Sequence, residues 1–198
     1  QCIIRNNSAT NGAGILLSTN SSPLIRNVLI AGNTGLGSGG GMYIGGGCNP
    51  TGVNCTVADN SAATAGGGLS SAGRPLFRNM IFWGNSAPTD PNLQVITNVI
   101  NIWYSDIQYG HSNAVLSITG NPQFVGGGDY SLQSGSPCID SGTYYLAPLV
   151  DLAAKSRPTA ANYPVNLVDM GCYEFGASAS TNPIALGTGV AQTEPAAD

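Results

Sequence analysis

The densest set of side chains capable of chemistry in this sequence is acidic and lies near the C-terminus. Four carboxylic acids and one arginine fall within 35 residues: Asp140, Asp151, Arg157, Asp169 and Glu174. Clustered carboxylates can bind calcium or act as general acid and base. They can also form charge-assisted links with arginine that hold a fold together. We expect the structural role, with Arg157 bonded to Asp140 or Asp169. A calcium site is the alternative, and no other cofactor is expected.

Glycan cleavage would need a different arrangement, a pair of carboxylates about 5–10 Å apart. The acids in the first 110 residues stand alone in the sequence: Asp59, Asp90 and Asp106. His111 is the only histidine, and no serine or cysteine is plausibly paired with it. We therefore expect a loop histidine and no catalytic residues.

Aromatic side chains offer a second kind of chemistry, the stacking of sugar rings. The candidates for glycan contact are Trp83, Trp103, Tyr104 and Tyr109. Phe82 and Trp83 point opposite ways in a strand, so one of the two faces outward. This leaves glycan binding open.

The elements that must position these residues repeat. The segments CIIRNN, VLIAGN, CTVADN and MIFWGN begin at residues 2, 28, 55 and 80, which are 26, 27 and 25 residues apart. Gly14, Gly41 and Gly68 recur every 27 residues, in a second register. A fixed period of 20–50 residues indicates a solenoid or an array.

The repeats predict an all-β right-handed parallel β-helix of four to five coils, with three strands and about 26 residues per coil. Short apolar runs bounded by Gly, Asn, Ser and Pro are typical of strands, and parallel crossovers are right-handed. Two sets of asparagines recur at equivalent positions. The first is Asn7, Asn33, Asn60 and Asn85, and the second is Asn27, Asn54 and Asn79. Asn tolerates the left-handed conformation and can bond the Asn of the next coil, so we expect stacked ladders.

The same alignment argues against a catalytic pair. Asp59 stacks on Asn6, Gly32 and Gly84, none of which is acidic.

The glycine runs Gly39–Gly41 and Gly66–Gly68 lack the Lys-Ser/Thr of a phosphate-binding loop. We interpret these glycines as positions of positive φ or of close backbone approach at a coil corner.

Composition narrows the classes of partner. Only 8% of the 198 residues are charged and the net charge is −4, which disfavours nucleic acid. The sequence has no apolar run of 18 residues, so membrane insertion is not expected. Gln1 begins inside a strand-like unit, which suggests a processed protein or a fragment.

Two of the five cysteines bracket a turn. Cys48 and Cys55 flank NPTGVN, so we expect a local disulfide between them. Cys2 aligns with Val28, Cys55 and Met80. It is either a buried thiol in an apolar stack or bonded to another coil or chain.

The C-terminal third carries motifs of a known group. They include NPQF (121–124), GDYSL (128–132), SPCIDSG (136–142), DLAAKSRP (151–158) and DMGCYE (169–174). These resemble secreted bacterial β-helix proteins that end in a choice-of-anchor type C-terminal module. The repeats GAGI, GGGM, GGGL and FRNM also resemble those of polymorphic-membrane-protein adhesins. The resemblance implies a passive scaffold that is secreted or at the cell surface.

Two residues depart from that group. Ala154 stands where the group usually has Gly, and Cys172 stands where Ala is common. Together with Cys138, Cys172 suggests a disulfide that pins the last strand onto the module.

We therefore expect three regions: β-helix coils at 1–110, a β-rich capping module at 111–175 and a Gly/Ala/Ser/Thr-rich tail at 176–198. Ile184, Leu186 and Val190 suggest that the tail pairs with a neighbouring copy, joining copies head to tail into a filament. The alternative is a flexible linker. The expected function is an extracellular structural or adhesive scaffold. The alternative is a carbohydrate-active module that binds or cleaves glycans.

Overall fold

The computed structural model describes residues 1–97, 99–158 and 167–176. The tail and its predicted pairing strand lie outside the described residues. Four parallel sheets form a β-solenoid, and their strands follow one another around each coil. The first two coils comprise β1 (Cys2–Arg5), β2 (Ser8–Ala9), β3 (Ile15–Leu17), β4 (Leu24–Arg26), β5 (Val28–Ala31), β6 (Thr34–Gly35), β7 (Met42–Ile44) and β8 (Thr51–Val53).

The third coil repeats this order. Among the described residues, the fourth coil has no strand in sheet 2, the fifth contributes only to sheets 1 and 4, and an antiparallel hairpin follows. The strands are β9 (Thr56–Ala58), β10 (Ser61–Ala62), β11 (Leu69–Ser71), β12 (Leu76–Arg78), β13 (Ile81–Trp83), β14 (Leu93–Val95), β15 (Asn101–Trp103), β16 (Asp106–Ile107), β17 (Ala114–Val115), β18 (Phe124–Gly126) and β19 (Asp129–Leu132). Sheet 1 has the order β1-β5-β9-β13-β16, sheet 2 β2-β6-β10, sheet 3 β3-β7-β11-β14 and sheet 4 β4-β8-β12-β15-β17.

The predicted β-helix and its repeat phase are confirmed, with one more short strand in a coil than predicted. Cys2 pairs with Val28 in register, and Leu29 pairs with Thr56. The extra strand is the two-residue element of sheet 2, which is too short to be recognised as an apolar run. Parallel pairing also continues to β17, beyond the predicted boundary at residue 110. The described residues contain no helix long and apolar enough to cross a membrane.

Alternation within each strand of sheet 1 places one set of side chains inside the solenoid. Val28 and Ile30 belong to the main core, together with residues of every coil. Phe77 and Phe82 meet there with ring centroids 5.9 Å apart. Leu29 and Ala31 point to the opposite face, and they too are buried. Sheet 1 is therefore covered on both sides.

The bends between strands use residues that tolerate positive φ. Asn27, Asn54 and Asn79 precede sheet 1 with φ of 49°, 52° and 52°. Tyr104 has φ 49° at the equivalent position of the next coil. Asn readily adopts this conformation because its short side chain bonds locally.

The first asparagine set forms a continuous ladder through the solenoid. The side-chain Nδ2 of Asn7, Asn33 and Asn60 donates to Oδ1 of Asn33, Asn60 and Asn85, each at 2.9 Å. Backbone N–H groups of the same three donors reach the same oxygens at 3.0–3.1 Å. Asn85 then donates to Asn92 at 2.9 Å. Buried amides are thus satisfied by the adjacent coil.

Close backbone approach explains the second glycine register. A Cβ on Gly41 would lie 2.6 Å from Gly68 O and 2.8 Å from Val57 Cγ1. We expect Gly41→Ala to lower the free energy of unfolding by about 3 kcal/mol, because an overpacked backbone contact cannot relax freely. Gly46→Ala is the matched control, since that Cβ would meet nothing within 4 Å. Urea denaturation measures both, and equal stabilities would contradict the close-approach interpretation.

Candidate functional site

The C-terminal module lies along the outer face of sheet 1 rather than over the end of the solenoid. Leu29 and Ala31 of the second coil pack against Cys172, while Ile81 of the fourth coil packs against Met170. At the first coil, Gln1 Nε2 donates to the carbonyl of Asp151 at 2.5 Å. The module therefore covers one side of the solenoid, along sheet 1. The reason is that the outward side chains of sheet 1 are apolar and need cover.

Within the described residues, the module contains one hairpin and is built mainly from turns. Strands β18 and β19 pair antiparallel, and Val150 and Ser156 form an isolated bridge. The module is thus less β-rich than predicted, and side-chain hydrogen bonds take the place that backbone pairing has in the sheets.

The second asparagine set holds the module along the corner where sheets 4 and 1 meet. Asn27 Nδ2 donates to Val150 O at 2.5 Å, and Asn54 Nδ2 donates to Asp169 O at 2.9 Å. Asn79 Nδ2 donates to Thr143 O at 2.7 Å. Asn79 also donates to Asn54 Oδ1 at 3.1 Å, so one ladder bond is present. This column of asparagines therefore serves mainly to bind the module to the solenoid.

Arg157 organises the predicted charge cluster from a buried position. Its guanidinium forms an ion pair with Glu174, and Nη2 donates to Gly171 O at 3.0 Å. Nη1 reaches the backbone carbonyl of Asp169 at 3.4 Å, and Nη2 reaches Asn27 Oδ1 at 3.5 Å. The structural role is as expected, but the predicted carboxylate partner was wrong. The partner is Glu174, because it projects into the same buried corner of the module.

The remaining acids of the cluster accept backbone hydrogen bonds. Asp169 accepts the N–H groups of Asp140 at 2.9 Å and Phe175 at 2.6 Å. Asp151 Oδ1 accepts two N–H groups of its own turn at 2.8 Å, and Oδ2 accepts the N–H of Glu174 at 2.8 Å. Asp140 itself is exposed and contributes its backbone. These carboxylates close turns of the module.

Burial changes the proton affinity of two of these groups. It raises the pKa of Asp169 to about 6, although two backbone N–H donors and Arg157 act in the opposite direction. It also raises the pKa of Glu174, which the charge of Arg157 opposes. Among the described residues, no group of three or more His, Cys, Asp or Glu side chains is placed to hold a metal ion.

Asp106 lies fully buried beneath the module, next to Ile81 in the outward column of sheet 1. Its Oδ2 accepts a hydrogen bond from the thiol of Cys138 at 3.2 Å, and its Oδ1 has no hydrogen-bond partner among the described residues. Burial raises the pKa of Asp106 to about 7. It also raises the pKa of the Cys138 thiol, so the pair favours the neutral acid and the protonated sulfur.

This carboxyl should make stability depend on pH. The unfolded chain ionises Asp106 near the ordinary value of 3.8, whereas the folded chain resists ionisation up to about pH 7. Stability is therefore lost as the pH rises between these values, by on the order of 3 kcal/mol. We expect the free energy of unfolding of the wild type, minus that of Asp106→Asn, to fall between pH 4 and pH 7. Denaturation at several pH values measures it, and parallel curves would contradict it.

All five cysteines are free thiols in the structure: Cys2, Cys48, Cys55, Cys138 and Cys172. The two predicted disulfides are therefore not formed. Cys55 directs its sulfur at Val53 O, 3.4 Å away inside the core. Cys138 faces Asp106, while Cys172 lies in a different apolar cluster with Leu29. Cys2 is exposed on the first coil.

Three of the four candidate aromatics are engaged by the module or lie against it. Trp83 and Tyr104 pack in the cluster around Ile81. Trp103 stacks on Arg78, whose guanidinium carbon is 4.3 Å from the Trp103 ring and 4.8 Å from that of Tyr145. Tyr109 alone of the four is largely exposed, at 79%. The structure therefore does not bring the four together as an open platform.

The contact between Asp59 and Tyr130 was not foreseen from the sequence. Tyr130 Oη donates to Asp59 Oδ2 at 2.9 Å and fastens the hairpin to the third coil.

His111 lies half-buried in a turn, where Nδ1 accepts the N–H of Asn113 at 3.2 Å. Burial lowers the pKa of His111.

An open groove lies where sheets 3 and 4 meet at the last coils. It has a volume of about 600 Å³ and is lined by Arg74, Val95, Ile96, Thr97, Val99 and Asn101. Ile96 and Val99 are 48% and 61% exposed. Apolar walls with one cation and two polar side chains could contact a sugar.

Comparison with known proteins adds one finding. No curated protein and no solved structure matches the chain significantly. A family model described as "Right handed beta helix region" matches residues 1–123, which include every strand of the solenoid. The chain belongs to this right-handed β-helix family.

Proposed function

We propose that this protein is a non-catalytic structural or adhesive scaffold, located outside the cell or on its surface. One observation carries the proposal: the buried carboxylates serve the fold. Asp151 and Asp169 close turns, Glu174 pairs with Arg157, and Asp106 is sealed under the module. An enzyme would present such groups to a substrate.

The exposed acids support the same proposal. Asp59 is held by Tyr130, and its neighbours in the adjoining coils are glycines, Gly32 and Gly84. Asp90 and Asp129 lie on a coil corner and on the hairpin. Hydrolysis of glycosides needs two carboxylates at a defined separation, and these positions offer no evident pair.

Family membership leaves the alternative open, because the family includes both pectate lyase-like enzymes and proteins without activity. A carbohydrate-binding role would use the groove beside Val95 and Asn101, or the exposed Tyr109. Exposed aromatic and apolar surface beside polar groups suits a sugar ring.

The extracellular location rests on the resemblance of the C-terminal motifs to secreted bacterial proteins. Disulfides would have supported an oxidising compartment, but all five cysteines are free thiols. Low charge and a surface rich in Asn, Ser and Thr suit glycan or protein neighbours rather than nucleic acid.

Two assays test the proposal. Incubation with pectic, alginate and β-glucan substrates should give no reducing ends or unsaturated products. A glycan array then separates an inert scaffold from a binding module. Turnover that disappears in Asp59→Asn or Asp106→Asn would contradict the scaffold, whereas array binding lost in Tyr109→Ala would favour the alternative.

A further inference from the structure

One peptide bond in the fourth coil has a backbone conformation that its own sequence disfavours. Asp90–Pro91 is the only Asp-Pro bond in the sequence, and it lies in the connection between β13 and β14. Asp90 has φ 47°, in the left-handed region. A residue before proline prefers extended conformations, because the proline ring collides with its backbone. Among the described residues, no other residue before a proline has a positive φ.

Hydrogen bonds from the third coil hold the bond in this strained conformation. The N–H of Gly66 is shared between Thr89 O at 3.3 Å and Asp90 O at 3.1 Å. On the other side of the bond, the N–H of Gly68 donates to Pro91 O at 3.0 Å. Backbone strain persists only where the surrounding structure enforces it, and it is concentrated at reactive and switching sites.

Asp90 itself carries a nucleophile that can break the bond. Attack of its carboxylate on its own carbonyl carbon closes a cyclic anhydride. The new C–O bond replaces the C–N bond to Pro91, whose nitrogen takes up a proton from solvent and leaves. One water molecule then opens the anhydride, which restores the side chain and leaves a new C-terminal carboxyl group. Because Asp90 is exposed, its side chain can rotate and water can reach the anhydride.

The surroundings of the scissile carbonyl favour this reaction. Its oxygen gains negative charge during the attack, and the N–H of Gly66 already donates to it. A donor held in place at a developing oxyanion lowers the barrier. The strain at Asp90 acts in the same direction, because it is released when the bond breaks. Proline also provides a more basic leaving nitrogen than other residues do.

We propose that Asp90–Pro91 is a self-processing site, at which the folded chain cuts its own backbone into residues 1–90 and 91–198. The two pieces remain one solenoid, because strands on both sides of the cut are paired with the third coil. Strand β13 pairs with β9, and β14 pairs with β11. The inference is independent of whether the protein is a scaffold or a glycan-binding module.

The rate of cleavage in the folded chain tests the proposal. The full chain is incubated at pH 4 with and without a denaturing concentration of urea, and the fragments 1–90 and 91–198 are quantified by mass spectrometry. Unfolding removes the strain and the Gly66 hydrogen bond, but it leaves the ordinary acid lability of an Asp-Pro bond. We expect the folded chain to be cleaved about tenfold faster. Equal or slower cleavage in the folded chain would overturn the proposal.

Two substitutions of the exposed Asp90 test whether its carboxylate is the nucleophile. Asp90→Glu keeps a carboxylate but needs a larger ring, and Asp90→Ala has no nucleophile. Both should lower the rate in the folded chain by about tenfold or more. Asp129→Ala, at another exposed aspartate, is the matched control and should be cleaved at the wild-type rate. Wild-type rates in Asp90→Glu or Asp90→Ala would assign the cut to a protease or to direct hydrolysis and would overturn the proposal.

Size-exclusion chromatography of the cleaved protein tests whether the pieces stay together. Under native conditions, we expect both fragments in one peak at the elution volume of the intact chain. They should separate only in denaturant. Fragments that elute apart under native conditions would contradict a cut that leaves the solenoid assembled.

Discussion

Replacing Asn60 with alanine is expected to lower the free energy of unfolding by about 4 kcal/mol. Asn60 is 0% exposed, and its amide donates to Asn85 at 2.9 Å and to Ile30 O at 3.0 Å. Its Oδ1 accepts two bonds from Asn33. Alanine leaves these buried partners unsatisfied, and each orphaned group costs about 1–3 kcal/mol. Urea denaturation followed by circular dichroism measures the loss.

Asn7→Ala is the matched control on the same ladder. Asn7 is exposed, and its side chain makes a single ladder bond, to Asn33. We expect a loss below about 1 kcal/mol, because water replaces that bond. Similar losses at Asn7 and Asn60 would mean that burial of a ladder asparagine does not increase its contribution to stability.

Replacing Arg157 with alanine is expected to release the module from sheet 1. The change leaves Glu174 buried without its cation, and breaking a buried pair costs about 3–5 kcal/mol. It also removes the bonds to Gly171 O and Asn27. In hydrogen exchange, residues 129–158 and 167–175 should lose protection, while the ladder amides of Asn33 and Asn60 keep theirs.

Lys155→Ala provides the control for that experiment. Lys155 lies in the same module and bonds Asp151 through its backbone N–H, which alanine retains. Its exchange pattern should match that of the wild type. If Arg157→Ala unfolded the coils and the module together, the two would form one cooperative unit rather than a solenoid with a docked module.

The period of the sequence made the coils and the first ladder predictable. A fixed spacing brings Asn33 and Asn60 to the same position in adjacent coils, and parallel pairing then places their amides side by side. The glycine register followed for the same reason, because Gly41 and Gly68 approach each other across one junction.

The placement of the module could have been inferred from the apolar character of the sheet 1 strands, which an alignment of the repeats does not take into account. The runs VLIA and MIFW are apolar at every position, so both faces of sheet 1 need cover. Parallel strands buried on both faces have this continuous pattern. An alternating run would have suggested a solvated outer face.

The partners within the module were beyond sequence reasoning. Spacing brings Cys48 near Cys55 along the chain, but it does not fix where either sulfur points. Arg157 pairs with Glu174 rather than Asp169 because a turn directs the backbone of Asp169, not its carboxylate, at the guanidinium. Such choices depend on side-chain direction in irregular turns, which have no period.

Thiol counting tests most directly whether the module is packed on sheet 1 by hydrogen bonds and an ion pair instead of disulfides. Under native conditions without reductant, an alkylating reagent should label Cys2 rapidly, and the buried Cys48, Cys55, Cys138 and Cys172 slowly. In denaturant, still without reductant, all five should react. Peptide mapping that found Cys138 bonded to Cys172, or either one labelled as fast as Cys2, would contradict this account.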